Sequence, residues 1–224
     1  MSRRPRVVVL SNDVPNSDYG ARHLAAVFSS AFDARIVEPL EGLGDPRAWL
    51  AARGTAALVL SGSERSVSQR LPWMEDEKAL LVQAVALGIP TLAVCFGHQL
   101  LGQAFGAGIV RGEKRVGLFE VGPLGDDPLF AGLGPRALVP EQHEDRLEGV
   151  PDGFRLVASS DYCRVQAIVH SAVPVYGVQF HPCYGDDVFD EDDAWETTGL
   201  RGRFAHDGAR ILSNAVRIFR EWVG

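Results

Sequence analysis

The stretch Thr91-Leu-Ala-Val-Cys-Phe-Gly-His-Gln-Leu-Leu101 carries the pattern on which the fold assignment depends. Its first four residues predict a buried strand, and a helical pattern begins about two residues after Cys95. A glycine at position 97 leaves room for backbone to pass close to the turn. Strand, tight turn and helix with a nucleophile at the turn form a nucleophile elbow, here with sulfur in place of a hydroxyl oxygen. The helix N-terminus favours the thiolate, although a small buried core cysteine also fits this position.

The residues on either side of this stretch predict an α/β fold. Before it, aliphatic runs alternate with helical patterns, and those at Arg6–Leu10 and Ala57–Leu60 are typical of parallel strands covered on both faces. After it, shorter patterns such as Val116–Val121 and Ala137–Pro140 indicate an antiparallel layer and further strands of the main sheet. We therefore predict an open, mostly parallel sheet with helices on both faces plus a small antiparallel layer. One domain spanning residues 1–224 is expected.

Composition and charge argue against several classes of protein. With 224 residues, 46% of them hydrophobic, the chain can form one domain with a sizeable core. A formal net charge of −7 disfavours nucleic-acid binding, and the apolar run Val7–Leu10 is too short for a signal sequence or a membrane span. The three cysteines form neither a disulfide framework nor a zinc pattern, so a cytoplasmic protein without metal or other cofactor is expected. The acid-rich run Asp186–Glu196 is interpreted as a solvated loop.

Two further turns lie where they can meet Cys95. Leu60-Ser-Gly-Ser-Glu-Arg65 follows the preceding strand, and carboxyl ends of neighbouring parallel strands face one crevice. Gly62 and Phe96 could there present backbone N–H groups as an oxyanion hole. The alternating strand Val175-Tyr-Gly-Val-Gln-Phe-His-Pro182 ends at His181, which could accept the Cys95 proton and later protonate a leaving amine.

At this level of detail the chain resembles the class I glutamine amidotransferases. The resemblance is carried by Cys95-Phe-Gly-His-Gln-Leu-Leu101 and Gly177-Val-Gln-Phe-His-Pro182, with the turn at residues 60–62 upstream. The middle stretch, from Glu141-Gln-His-Glu-Asp145 to Ile168, is most similar to the amidotransferase domain of GMP synthase. The resemblance covers about residues 50–220 and implies the flavodoxin-like fold of that family.

The family resemblance implies a glutaminase half-reaction. Cys95 would attack the γ-amide of glutamine to give a γ-glutamyl thioester and ammonia, and His181 would activate the water that releases glutamate. Gly62 and Phe96 would form the oxyanion hole. Gln99, Gln142 and His143 would hold the substrate, with Lys114–Val116 as a weaker candidate. A separate synthase would receive the ammonia as a partner.

One position departs from the family pattern. The third catalytic residue is a glutamate two positions after the histidine, and this chain has Cys183 there. A thiol orients the histidine poorly. Three explanations stay open: Asp186 or Asp187 replaces the acid, the enzyme works as a Cys–His dyad that a partner activates, or the domain is a degenerate, non-catalytic binding or regulatory one. Cys95 and Cys183 are expected to remain thiols rather than to form a disulfide.

A second hypothesis keeps the chemistry and changes the substrate. It is a stand-alone γ-glutamyl hydrolase acting on the γ-glutamyl amide of a small amine, which needs space beyond the scissile amide and no partner chain.

Overall fold

The sheet has nine strands in the part of the chain that the structure describes. This computed structural model describes residues 4–12, 19–38, 42, 44–185 and 205–224. The strands are β1 (Arg6–Leu10), β2 (Asp33–Val37), β3 (Thr55–Leu60), β4 (Thr91–Val94), β5 (Ile109–Pro123), β6 (Ala137–Leu147), β7 (Phe154–Ser159), β8 (Ala167–His170) and β9 (Val175–Val178). The helices are α1 (Tyr19–Phe28), α2 (Pro46–Ala52), α3 (Pro72–Ala86), α4 (Phe96–Ala104) and α5 (Gly208–Val223).

The order of the strands confirms the predicted α/β architecture. The sheet runs β2-β1-β3-β4-β9-β8-β7-β5-β6. Its first five members pair in parallel, and the remaining pairs are antiparallel. The carboxyl ends of β3, β4 and β9 therefore lie side by side at one edge of the sheet, where α/β folds place their ligands.

Two apolar cores cover the two faces of the parallel strands. Alternate residues of β1 divide between them, since Val7 and Val9 face one core while Val8 and Leu10 face the other. The first core includes buried residues of α1 and α5, and the second includes buried residues of α2, α3 and α4. This double coverage explains why the central strands carry almost no polar residue.

The predicted extents of two strands were wrong. β5 and β6 reach 15 and 11 residues, far beyond the apolar patterns at 116–121 and 137–140. Their additional length is a charged antiparallel ribbon with Ile109 opposite Leu147. Ion pairs cross it, from Arg111 to Glu144 and from Arg115 to Glu141. Because one face of the ribbon is polar, hydrophobic patterning could not reveal it.

The ribbon matters for function because it brings β6 to the carboxyl edge of the parallel strands. The main-chain N–H of His181 donates to the carbonyl of Pro140 in β6 over 2.8 Å. Neighbouring residues of β6 are thereby fixed beside the end of β9. None of the helices in the described ranges combines the length and apolar character that a membrane crossing needs.

Candidate active site

Cys95 occupies the nucleophile elbow that the sequence predicts. It lies between β4 and α4 with φ 48° and ψ −101°, a backbone conformation that residues with a Cβ rarely adopt. Its N–H donates to the carbonyl of Val178 at 2.8 Å, and its carbonyl accepts from the N–H of Gln99 at 3.0 Å. Backbone strain of this kind persists only where the surrounding structure enforces it, and it is commonly found at functional sites.

Glycine is required on both sides of Cys95 by close approach of the chain. A Cβ at Gly97 would lie 2.8 Å from Cβ of Leu60, so the start of α4 could not pass the end of β3. A Cβ at Gly62 would lie 2.8 Å from Cε1 of His181 and 3.7 Å from Cβ of Cys95. The structure therefore brings Gly62, Cys95 and His181 together in one cluster.

His181 is buried and carries no charge at neutral pH. Its side chain stacks on Tyr184 with ring centroids 4.1 Å apart. Burial lowers the pKa of His181 to about 3, and the charge of a protonated His143 would act in the same direction, whereas the hydrogen bond with the carbonyl of Gln142 opposes the shift. A neutral imidazole is the form that can accept a proton from a thiol.

The main-chain carbonyl of Gln142 contacts both members of the pair. It lies 3.4 Å from Nε2 of His181 and 3.9 Å from Sγ of Cys95. A carbonyl only accepts hydrogen bonds, so Nε2 carries the hydrogen in this contact. The sequence predicts a substrate contact for Gln142, and the structure adds an orienting role for its backbone that sequence reasoning missed.

The position of the missing acid is also buried. Cys183 is 6% exposed, and Asp186 and Asp187 lie outside the described residues. Within the described ranges, the groups that shift the pKa of His181 are His143 and the Gln142 carbonyl, neither of which is a carboxylate. Cys95 and Cys183 are thiols rather than a disulfide, as expected.

A chain of amide groups connects β6 to the Cys95 sulfur. Nε2 of Gln99 donates to the carbonyl of Asp145 at 2.7 Å and to Oε1 of Gln179 at 3.3 Å. Nε2 of Gln179 in turn points at Sγ of Cys95 over 3.6 Å. Sequence reasoning missed Gln179, although a polar residue in an apolar strand two positions before His181 was the available signal. The substrate contact of Gln99 stays a prediction.

His143 belongs to a buried ionic network behind the site. Its Nε2 lies 3.2 Å from Oε2 of Glu141, a residue with no exposed surface. The Glu141 carboxylate also accepts from Nε of Arg115 at 2.7 Å and from Nε2 of Gln166 at 2.8 Å. A buried carboxylate with three such partners is well compensated, so the network fixes β5 against β6. Substrate contacts of His143 and of the 114–116 segment stay predictions.

Comparison with known proteins identifies the family. The family model described as Glutamine amidotransferase class-I matches residues 36–190, which is more than half of the chain. The chain belongs to the class I glutamine amidotransferase family. This membership confirms the resemblance drawn from the cysteine and histidine motifs.

Among the amidotransferases, the similar curated relatives are named as subunits of glutamine-hydrolysing GMP synthase. The chain is 41% identical over 105 residues to the subunit from Thermococcus kodakarensis, covering 46% of this chain and 56% of that protein. It is 42% identical over 132 residues to the corresponding subunit from Methanothermobacter thermautotrophicus, covering 58% and 67%. The chain thus matches roughly half to two thirds of the length of these relatives.

A solved amidotransferase shares the fold over the whole chain. The glutamine amidotransferase from Thermotoga maritima superposes with a TM-score of 0.71, covering 100% of this chain and 95% of that one. Sequence identity is 20%, so this likeness concerns the fold. The predicted class I amidotransferase fold is confirmed.

Proposed function

We propose that this family member hydrolyses the γ-amide of glutamine through a thioester on Cys95 and passes the ammonia to a separate synthase chain. The observation that carries the proposal is the cluster in which a cysteine at positive φ, a neutral histidine and the Gly62 turn converge. Relatives named as subunits of glutamine-hydrolysing GMP synthase support both the substrate and the existence of a synthase partner.

The geometry supports a two-step displacement. His181 accepts the thiol proton as sulfur attacks the amide carbon, and the N–H groups of Gly62 and Phe96 bind the oxyanion. The protonated His181 then gives its proton to the leaving nitrogen, which departs as ammonia. Water, deprotonated by His181, attacks the thioester, and the sulfur leaves to regenerate the thiol with release of glutamate.

The Gln142 carbonyl takes over part of the missing acid's task in this proposal. It fixes one tautomer and one orientation of His181, as a backbone carbonyl can. It carries no full negative charge, however, and therefore stabilises the imidazolium less than a carboxylate would. We infer that the chain works as a Cys–His dyad with a low basal rate, which a docked synthase raises.

Replacing Cys183 by glutamate is expected to increase glutaminase activity. A carboxylate two residues after His181 would raise the pKa of its ring toward the ordinary value and stabilise the imidazolium. The expected gain in kcat is about tenfold, well below the ~10⁴-fold effect of an acid in a fully formed triad, because the position is buried. The measurement is steady-state glutamate release at pH 7.

The matched control is Cys183→Gln, which has nearly the same shape as glutamate and no charge. It should leave kcat near the wild-type value. Equal gains in both variants, or a loss in both, would show that Cys183 has a role of its own and that the absent charge does not limit the rate.

Substrate class is tested by comparing glutamine with γ-glutamyl methylamide and larger γ-glutamyl amides, with and without the synthase encoded by the same organism. The proposal expects glutamine to be preferred and its turnover to rise when the synthase is added. A preference for γ-glutamyl amides with no effect of the synthase would establish the γ-glutamyl hydrolase instead. Absence of turnover on every substrate, with or without the synthase, would establish a non-catalytic domain.

A further inference from the structure

Behind the Gly62 turn lies a buried carboxylic acid that the proposed reaction does not use. Glu77 is on α3 and has no exposed surface, and it shares its helix face with the apolar residues Met74, Leu80 and Leu81. An uncompensated carboxylate in such a place is costly, so acids are seldom found there without a purpose.

The surroundings of Glu77 are apolar apart from one amide. The neighbouring helices contribute Trp49 and Leu50 from α2 and Phe96 from α4 to the same core. Asn12, at the end of β1, is the polar side chain that acts on Glu77 by hydrogen bonding. No charged group of the described residues alters the pKa of Glu77, from α3 itself or from any element packed against it.

Glu77 and Asn12 depend on each other. Both side chains are fully buried, and neither makes a hydrogen bond of normal geometry to a described residue. Their mutual contact is therefore a loose one, in a polar pocket enclosed by the core. Burial raises the pKa of Glu77 to about 8, so the carboxyl is protonated at neutral pH and can donate to the Asn12 amide.

Asn12 is joined to the Gly62 turn by two ordinary hydrogen bonds. Its main-chain N–H donates to Oγ of Ser61 at 2.8 Å, and this hydroxyl donates to the carbonyl of Gly62 at 3.0 Å. Ser61 has no exposed surface. The orientation of the Gly62 peptide groups is thus set from behind the turn, on the side away from His181.

We propose that Glu77 is a positioning residue for the oxyanion turn, acting through Asn12 and Ser61 on Gly62. The inference rests on the proposed function for its effect on turnover, because Gly62 is assigned there to the oxyanion hole. Its structural content, a coupling between Glu77 and Gly62, does not depend on turnover.

Ionisation of Glu77 should disturb this arrangement. A charged carboxylate in an apolar pocket draws the Asn12 amide toward itself or admits water, and either movement shifts Ser61. Oxyanion donors must be placed to within a fraction of an ångström, so a small shift lowers the rate without weakening the binding of glutamine. An alkaline loss of kcat with unchanged KM is the expected signature.

The experiment follows the amide resonance of Gly62 in the full chain by NMR between pH 6 and 10, for wild type and Glu77→Gln. In wild type this resonance should titrate with an apparent pKa of about 8, and Glu77→Gln should abolish the titration. Exposed Glu75, on the same helix, gives the control Glu75→Gln, which should leave the titration unchanged. A Gly62 resonance that ignores the ionisation of Glu77 would overturn the proposal, whether or not the chain hydrolyses glutamine.

Kinetics and stability supply two further readouts. Glu77→Gln should keep kcat at pH 7 within about twofold and lose the alkaline fall, whereas Glu77→Ala should lower kcat about tenfold at unchanged KM. The folded-state pKa of Glu77 is raised, so its contribution to stability is complete below about pH 4.5 and is lost as the pH rises to about 8. Wild type should therefore lose stability relative to Glu77→Gln across this window, and parallel curves would show that Glu77 ionises normally.

Discussion

Replacement of Cys95 by alanine is expected to abolish glutaminase activity, with a loss of at least about 10⁴-fold in kcat. The sulfur is the atom that forms the proposed thioester, and no other thiol can take its place. Cys163 has no exposed surface, and burial raises its pKa to about 12. Glutamate release measured with a coupled dehydrogenase assay gives the result directly.

Two variants separate loss of the nucleophile from loss of the fold. Cys163→Ala removes an equally buried thiol elsewhere and should keep activity near that of wild type. Cys95→Gly should be as inactive as Cys95→Ala but more stable than it by about 1–2 kcal/mol, because glycine relieves the strain of φ 48°. Full activity in Cys95→Ala would eliminate the thioester mechanism.

The second large effect is expected for Gly62→Ala. The added Cβ would lie 2.8 Å from Cε1 of His181, closer than such contacts occur, so either the imidazole or the turn must move. Either movement separates the base from Cys95 or misplaces the oxyanion donor. The expected loss is about 10²- to 10³-fold in kcat, as for removal of an oxyanion donor.

Its control is Gly134→Ala, at an open position where no heavy atom lies within 4 Å of the new Cβ. That variant should leave kcat unchanged. Both proteins should unfold cooperatively by circular dichroism. Retention of wild-type activity in Gly62→Ala would show that the Gly62 turn does not pack against the working His181.

Local patterns were sufficient for the fold and for the two reacting side chains. The strand ending at Cys95, the glycine two residues later and the helix after it are encoded within about ten residues, and His181 ends another short strand. Parallel order then brings these ends together at one edge of the sheet without further information.

Groups that depend on long-range register could not be predicted. The Gln142 carbonyl reaches His181 only because β6 passes the end of β9, and main-chain atoms have no sequence signature. The charged ribbon that places β6 lacks the apolar alternation from which strands are recognised. The proposed substitutes Asp186 and Asp187 lie outside the described residues, and the role of either stays a prediction, as does a single domain over residues 1–224.

The identity of the nucleophile is tested most directly with a glutamine analogue that carries a diazoketone in place of the γ-amide. After incubation of the full chain with this reagent, intact-mass and peptide analysis should find one covalent adduct per chain, on Cys95. Excess glutamine should prevent labelling, and Cys95→Ala should not be labelled. Labelling of Cys183 or Cys163 instead, or labelling that glutamine does not suppress, would contradict the assignment of Cys95 as the residue that attacks the γ-carbonyl of glutamine.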